Sequence, residues 1–164
     1  MKTREGTKKD IPYLWKIDKE NAKKYQKIIP KKYQKLDEVI VKVQKKEDFV
    51  KDFTKNMEQD NSFFLVVEEK GIIKGFLSVD VEDFFGGIKE TSKIAQIVEF
   101  QISGNISNYE EAGKKLITKL EKISKNKGCE FIFWNIPAGD EIELSAAKQN
   151  KFDLNEREMV KKIK

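Results

Sequence analysis

The sequence predicts a mixed α/β (α+β) domain, and three stretches carry that prediction. SFFLVVEE, the Lys70-Gly71 turn and IIKGFLSVDV form the clearest hairpin in the chain. The apolar strand from Ile94 to Ser103 runs into a long amphipathic segment ending near Lys127. CEFIFWNI then supplies another buried strand. The hairpin demands antiparallel pairing, and the strand–helix–strand run adds one crossover. The 164 residues amount to one domain's worth of chain, with no linker or repeat, so residues 1–164 are expected to form a single domain.

Taken in order, residues 1–5 fit a short strand. Thr7 can cap a helix, and Asp10 can reach back to it three residues later. Ile11, Leu14, Trp15, Ala22 and Tyr25 give that helix an apolar face to about residue 27, where Ile29-Pro30 breaks it. Residues 28–44 read as irregular, with VIVKV as a short strand or a pocket lip. A second helix is expected from Lys46 to Gln59, with Phe49, Val50, Phe53 and Met57 on one side. In the second hairpin strand Ile73, Leu77, Val79 and Val81 share a face. Gly75 lies in that row and implies a close approach or a bend. DFFGGIKETSK reads as a loop. Ile97 and Val98 are adjacent apolar residues, as in a strand covered on both faces. The long helix carries Ala112, Leu116, Leu120 and Ile123 on one stripe and is ended by Gly128. Asp140 with Glu143 opens a short helix to about Asn150. Phe152 to Ile163 is expected as a final strand.

Composition narrows the chemistry. The chain has no histidine, which removes Ser-His and Cys-His pairs and most zinc or iron sites; no metal is expected. Only Arg4 and Arg157 are arginines, so bidentate phosphate and guanine recognition has few agents. The net charge of +5 comes from lysines scattered among glutamates, which argues against a nucleic-acid footprint. No apolar run is long enough to span a bilayer, and the basic N-terminus has no apolar run after it, so a cytoplasmic protein is expected. A single cysteine, Cys129, excludes an internal disulfide, and without a histidine to activate it Cys129 is a poor nucleophile.

The order of elements and several strings resemble the GNAT family of N-acyltransferases. TREGTKKDIPYL looks like its opening strand and helix. SFFLVVEEKGIIKGFLSV is similar to its second and third strands, AQIVEFQIS to its fourth, GCEFIFWNI to its fifth, and NKFDLNEREMVKKI to its closing segment. The resemblance covers nearly the whole chain. It implies a mostly antiparallel sheet with a splayed central strand pair and flanking helices. It also implies acetyl-CoA as co-substrate, a small-molecule or peptide amine as acceptor, and direct attack in a ternary complex. A homodimer is compatible with it. The thioester carbonyl would meet amides near Gln101, Ile102 and Ser103, and the pyrophosphate would sit at the following helix start, on Asn108, Ala112, Gly113 and Lys114. Asn135, at the end of the fifth strand, would line the cleft. Glu99 would take the proton from the amine, a role that burial among Val98 and Phe100 would favour by raising its pKa.

Two departures from the family pattern bear on this. Its phosphate motif is Arg or Gln, two residues, Gly, one residue, Gly or Ala. With its last glycine on Gly113, Asn108 takes the first position and Glu111 stands where the first glycine belongs, with Glu110 beside it. A glycine there lets the backbone reach the phosphates; Glu111 adds bulk and like charge. Ser107 or Asn108 with these acids is equally a well-capped helix start. Ala147 also stands where the family has a tyrosine acid, and Lys151 where it has glycine. The alternative is therefore a GNAT-like binding module without acyl transfer, acting through a protein partner or dimer.

Overall fold

The structure is a computed structural model that describes residues 1–28, 45–85, 91–136 and 140–153. Five strands and four helices form among them: β1 (Lys2–Glu5), α1 (Ile11–Ile28), α2 (Lys46–Asn56), β2 (Ser62–Glu69), β3 (Ile72–Phe85), β4 (Thr91–Ile102), α3 (Tyr109–Asn126), β5 (Phe131–Trp134) and α4 (Glu141–Gln149). The strands lie in sequence order in one sheet. The first three pairings are antiparallel and β4–β5 is parallel. This is the mixed, mostly antiparallel architecture that the sequence predicts. No described helix is long and apolar enough to cross a membrane.

Strand alternation divides the sheet's side chains between two cores. On one face Leu65, Val67, Leu77, Val79, Ala95, Ile97, Phe100 and Ile102 pack against Ala112, Leu116, Ile117 and Leu120 of α3. On the other Phe64, Val66 and Phe76 pack against Ile11, Leu14 and Ile17 of α1 and Phe49 and Phe53 of α2. The predicted α3 stripe is thus the buried one. The β2–β3 turn is also as predicted: Lys70 and Gly71 take φ values of 53° and 75°, which matches the twist of a two-residue hairpin. Gly75 explains itself by proximity. A Cβ there would stand 2.9 Å from the Gln101 carbonyl oxygen and 3.0 Å from Val67 Cγ1, so β4 can lie tight against β3 only with glycine.

The structure corrects several expectations. The stretch read as a loop, 83–93, is largely strand: β3 continues to Phe85 and β4 starts at Thr91, with Asp83 opposite Lys93 and Phe85 opposite Thr91. Opposite charges at facing ladder positions and strand-favouring residue types sustain the pairing. Ile73 leaves the predicted row because a register shift at Val67/Glu68 turns it to the α1–α2 core. Val98 is 55% exposed rather than buried, since it is the extra residue of a bulge opposite Ser78/Val79. β5 spans four residues, not eight, and Phe131 is 56% exposed; among the described residues β5 is the last strand of the sheet. α1 begins at Ile11; the Thr7–Asp10 segment is a turn before it. The readings for 29–44, Gly86–Gly87, Pro137–Gly139 and the closing strand beyond Asp153 lie outside the described residues.

Asp10 still does what its spacing predicts, and more. Its Oδ2 accepts from the Thr7 amide at 2.7 Å, while both oxygens receive the Arg4 guanidinium at 2.7 and 2.8 Å. Arg4 also pairs with Glu68 at 2.6 Å, tying β1 and β2 to the start of α1.

Candidate functional site

β4 is the strand on which the site is built. β5 pairs with it only from Ile94 to Ile97, and β4 then runs on to Ile102. The two strands of this parallel pair therefore part company at the bulge. Beyond it, the Ser103 amide donates to the Lys74 carbonyl at 2.8 Å, which fixes the direction of the ladder. Successive backbone amides point to opposite edges of a strand. Gln101 therefore also faces β3, and the donors turned to the open β5 side are those of Phe100 and Ile102. Of the three amides expected near a thioester, Ile102 alone is directed there.

The bulge also decides which side chains leave the α3 core. Phe100 and Ile102 are buried in it, whereas Glu99 and Gln101 look toward α1. Gln101 Oε1 accepts from Asn21 Nδ2 at 2.6 Å, and Asn21 also donates to the Ile102 carbonyl at 3.2 Å. Ser103 Oγ donates to Glu20 Oε2 at 2.7 Å. A polar seam thus joins α1 to the second half of β4. Within it Glu99 Oε2 is shut off from solvent and has no hydrogen-bond partner among the described residues. Burial, helped by the nearby Asp18 carboxylate, raises the Glu99 pKa to about 7. Burial raises Asp18 as well. The Glu99 carboxyl therefore changes its protonation near neutrality.

At the other end of the opening stands α3. Asn108 is its cap, its side chain accepting from the Glu111 amide at 2.9 Å. Ser107 does not cap; its hydroxyl donates to Glu69. The two acids of the first turn are engaged elsewhere: Glu111 lies 3.5 Å from Lys115, and Glu110 accepts from Gln149 of α4 at 3.3 Å. Ala112 and Gly113 are buried toward the sheet. A Cβ on Gly113 would meet Phe100 Cζ at 3.4 Å, so Gly113 packs on β4 and is not itself a cradle for an anion. Lys114 and Asn135 are exposed, Lys114 on α3 and Asn135 just past β5.

Next to the opening, Trp134 closes β5. It packs at a tilt on Phe100 at 4.6 Å and edge-to-face with Phe152 at 5.7 Å, and its indole donates to Glu143 at 3.2 Å. Tyr109, at the start of α3, is largely buried, and its hydroxyl is held protonated by burial and by the Glu143 and Asp140 charges. Asp140 caps α4 through the Glu143 amide at 2.9 Å, as the sequence predicts. Cys129 is half-buried, and burial raises its thiol pKa, which disfavours the thiolate. Ala147 is buried in α4.

Sequence reasoning missed the contribution of α1. Asp18, Glu20 and Asn21 all serve the β4 seam, and a signal existed. Ile11, Leu14, Ile17 and Asn21 follow helical spacing and are all buried, so Asn21 is a polar residue in an apolar stripe. Such a residue needs a partner, and Gln101 is that partner.

No protein-family model matches the chain, and no curated protein matches it by sequence. Solved structures do match. An aminoglycoside N-acetyltransferase in complex with CoA superposes with a TM-score of 0.69 at 13% identity, covering 99% of each chain. Glucosamine-6-phosphate N-acetyltransferase from Arabidopsis thaliana gives 0.65 at 16% identity, over 99% of this chain and 98% of its own. A mutant of the BH1408 protein from Bacillus halodurans gives 0.79 at 11% identity and 99% coverage of both. The chain has the GNAT fold of the N-acetyltransferases.

Proposed function

We propose that the protein is an N-acetyltransferase that moves an acetyl group from acetyl-CoA to the amine of a small molecule or peptide, by direct attack in a ternary complex. The observation that carries the reading is Glu99: an unpartnered carboxylate oxygen on β4, beside the parting of β4 and β5, with a pKa of about 7. An alkylammonium has a pKa near 10.4 and must lose its proton before it can attack.

Each residue then has a task. Glu99 accepts the proton of the ammonium. The freed nitrogen attacks the thioester carbonyl, and the C–N bond forms as the carbonyl oxygen gains charge. The Ile102 amide, open on the β5 side, donates to that oxygen. The C–S bond breaks, the thiolate leaves and takes a proton from water, and the new amide sheds its excess proton. Gln101 and Ser103 hold the strand in place through Asn21 and Glu20. The Ser103–Asn108 loop and the first turn of α3 receive the pyrophosphate end, with Ala112 and Gly113 packing the helix against β4. Lys114 and Asn135 line the approach.

The test is release of free CoA thiol with a panel of primary amines. Turnover should rise with pH through a midpoint near 7, and Glu99→Gln should lower kcat by about 10²–10⁴-fold. Undiminished turnover in Glu99→Gln would remove Glu99 from the mechanism.

A further inference from the structure

We infer that Asp18 of α1 and Glu99 of β4 act together as one carboxylate pair that receives a positively charged amine, so that the acceptor is an alkylamine without an anionic group. The acceptor part rests on the acetyl-transfer reading.

The 2.6 Å bond between Asn21 and Gln101 anchors the geometry. Asp18 precedes Asn21 by three residues, about 4.5 Å along the same side of a helix. Glu99 precedes Gln101 by two residues, about 7 Å along the same face of a strand. Asp18 and Glu99 thus both lie close to that bond, one on α1 and one on β4. The Asp18 charge is felt at Glu99, adding to burial in raising its pKa. Among the described residues, Ser78 and Asp80 on β3 and Glu20 on α1 are uncharged or engaged. Across the ladder on β3 stands Ser78, buried. Asp80, further along, accepts from Ser62 at 2.5 Å, and Glu20 is taken by Ser103. Among the described residues, ion pairs involve Arg4, Lys8 and Lys115 as cations, and none reaches Asp18 or Glu99.

Two desolvated carboxylates facing each other, one with an inaccessible, unpartnered oxygen, are an unbalanced charge. Folded proteins resolve such an arrangement by binding a proton or a cation. A shared proton satisfies the pair when empty. An ammonium satisfies it better, since it brings three donors and a full charge. The division of labour follows. Glu99 takes the proton, while Asp18 holds the amine at the seam. Asp18 is thus a positioning residue with a second effect: its charge makes Glu99 the stronger base. An amine with a phosphate or carboxylate close to the nitrogen meets like charge here, which selects against amino-sugar phosphates and α-amino acids.

The experiment uses the full chain with 1,4-diaminobutane as probe and glucosamine 6-phosphate as its anionic counterpart, without acetyl-CoA. Millimolar diamine should raise the Tm and the sugar phosphate should not. Asp18→Asn and Glu99→Gln should each weaken diamine binding at least tenfold; both remove a desolvated charge and leave the fold intact. In parallel, the Glu99 carboxyl carbon is followed by NMR through a pH titration, and its midpoint should fall in Asp18→Asn. Equal diamine binding by Asp18→Asn, equal binding of the sugar phosphate, or an unmoved Glu99 midpoint would each overturn the pair. Asp18-dependent diamine binding with no acetylated product on adding acetyl-CoA would leave the pair standing and refute the acetyl-transfer reading instead.

Discussion

Replacing Glu99 by glutamine should make the protein more stable, and the gain should depend on pH. The folded carboxyl keeps its proton up to about pH 7, whereas an ordinary one loses it near 4.5. Between those values the native state binds more protons than the unfolded state, so stability falls as pH rises through that window. The difference in pKa corresponds to about 3 kcal/mol at pH 8. Glutamine keeps the shape and cannot ionise, so it escapes this penalty. For a domain of this size 1 kcal/mol moves the Tm by roughly 2–4 °C, which gives about 6–12 °C. The assay is thermal or urea unfolding of both proteins from pH 4 to pH 8. Coincident stabilities at pH 4 and divergence above pH 5, in favour of Glu99→Gln, are expected. A gap that is constant with pH, or one that favours the wild type at pH 8, would refute the burial argument. A residue whose removal stabilises the fold is retained for another reason, and proton transfer supplies one.

Other predictions follow from the same contacts. Arg4→Leu should destabilise by about 3 kcal/mol at pH 7, because it strands Asp10 and Glu68. Asp10 is held near a pKa of about 2, so its share is present above pH 3.8 and fades as pH falls through 2; urea unfolding at pH 7 and pH 2 reads the contrast. Gly75→Ala should cost about 1–3 kcal/mol, since its Cβ meets the Gln101 carbonyl at 2.9 Å and that oxygen is fixed in the ladder. Gly113→Ala should be neutral or stabilising by about 0.5–1 kcal/mol, because its Cβ has ordinary contact distance to Phe100 and the helix favours alanine; destabilisation beyond about 1 kcal/mol would contradict the packing described for α3. Glu111→Gly should tighten acetyl-CoA binding several-fold by removing like charge near the pyrophosphate, and calorimetry that shows weaker binding would exclude that placement.

Much of this was legible in the sequence, for physical reasons. The hairpin at Lys70-Gly71 is local, so turn chemistry alone reveals it. The stripe on α3 is a one-helix pattern, and Asn108 and Asp140 cap helices three residues ahead of their targets. What was not legible depended on partners distant in sequence. Val98 reads as core until the bulge opposite Ser78/Val79 turns it out. CEFIFWNI reads as one buried strand, yet only Phe131–Trp134 pair with β4, and Phe131 is exposed. Asp18 and Asn21 lie about 80 residues before the strand they serve, and no pattern within α1 states which polar residue faces β4. Glu99 was visible as a carboxylate among apolar neighbours. Its lack of a partner was not.

We propose that the opening between β4 and β5 takes acetyl-CoA, which thermal unfolding with increasing acetyl-CoA reads out. Ligand at one hundred times its Kd adds about 2.7 kcal/mol, or roughly 5–10 °C in Tm. A saturable rise of that size, accompanied by an acetylated product when diamine is present, is the predicted result. An unchanged Tm at millimolar acetyl-CoA would contradict the account.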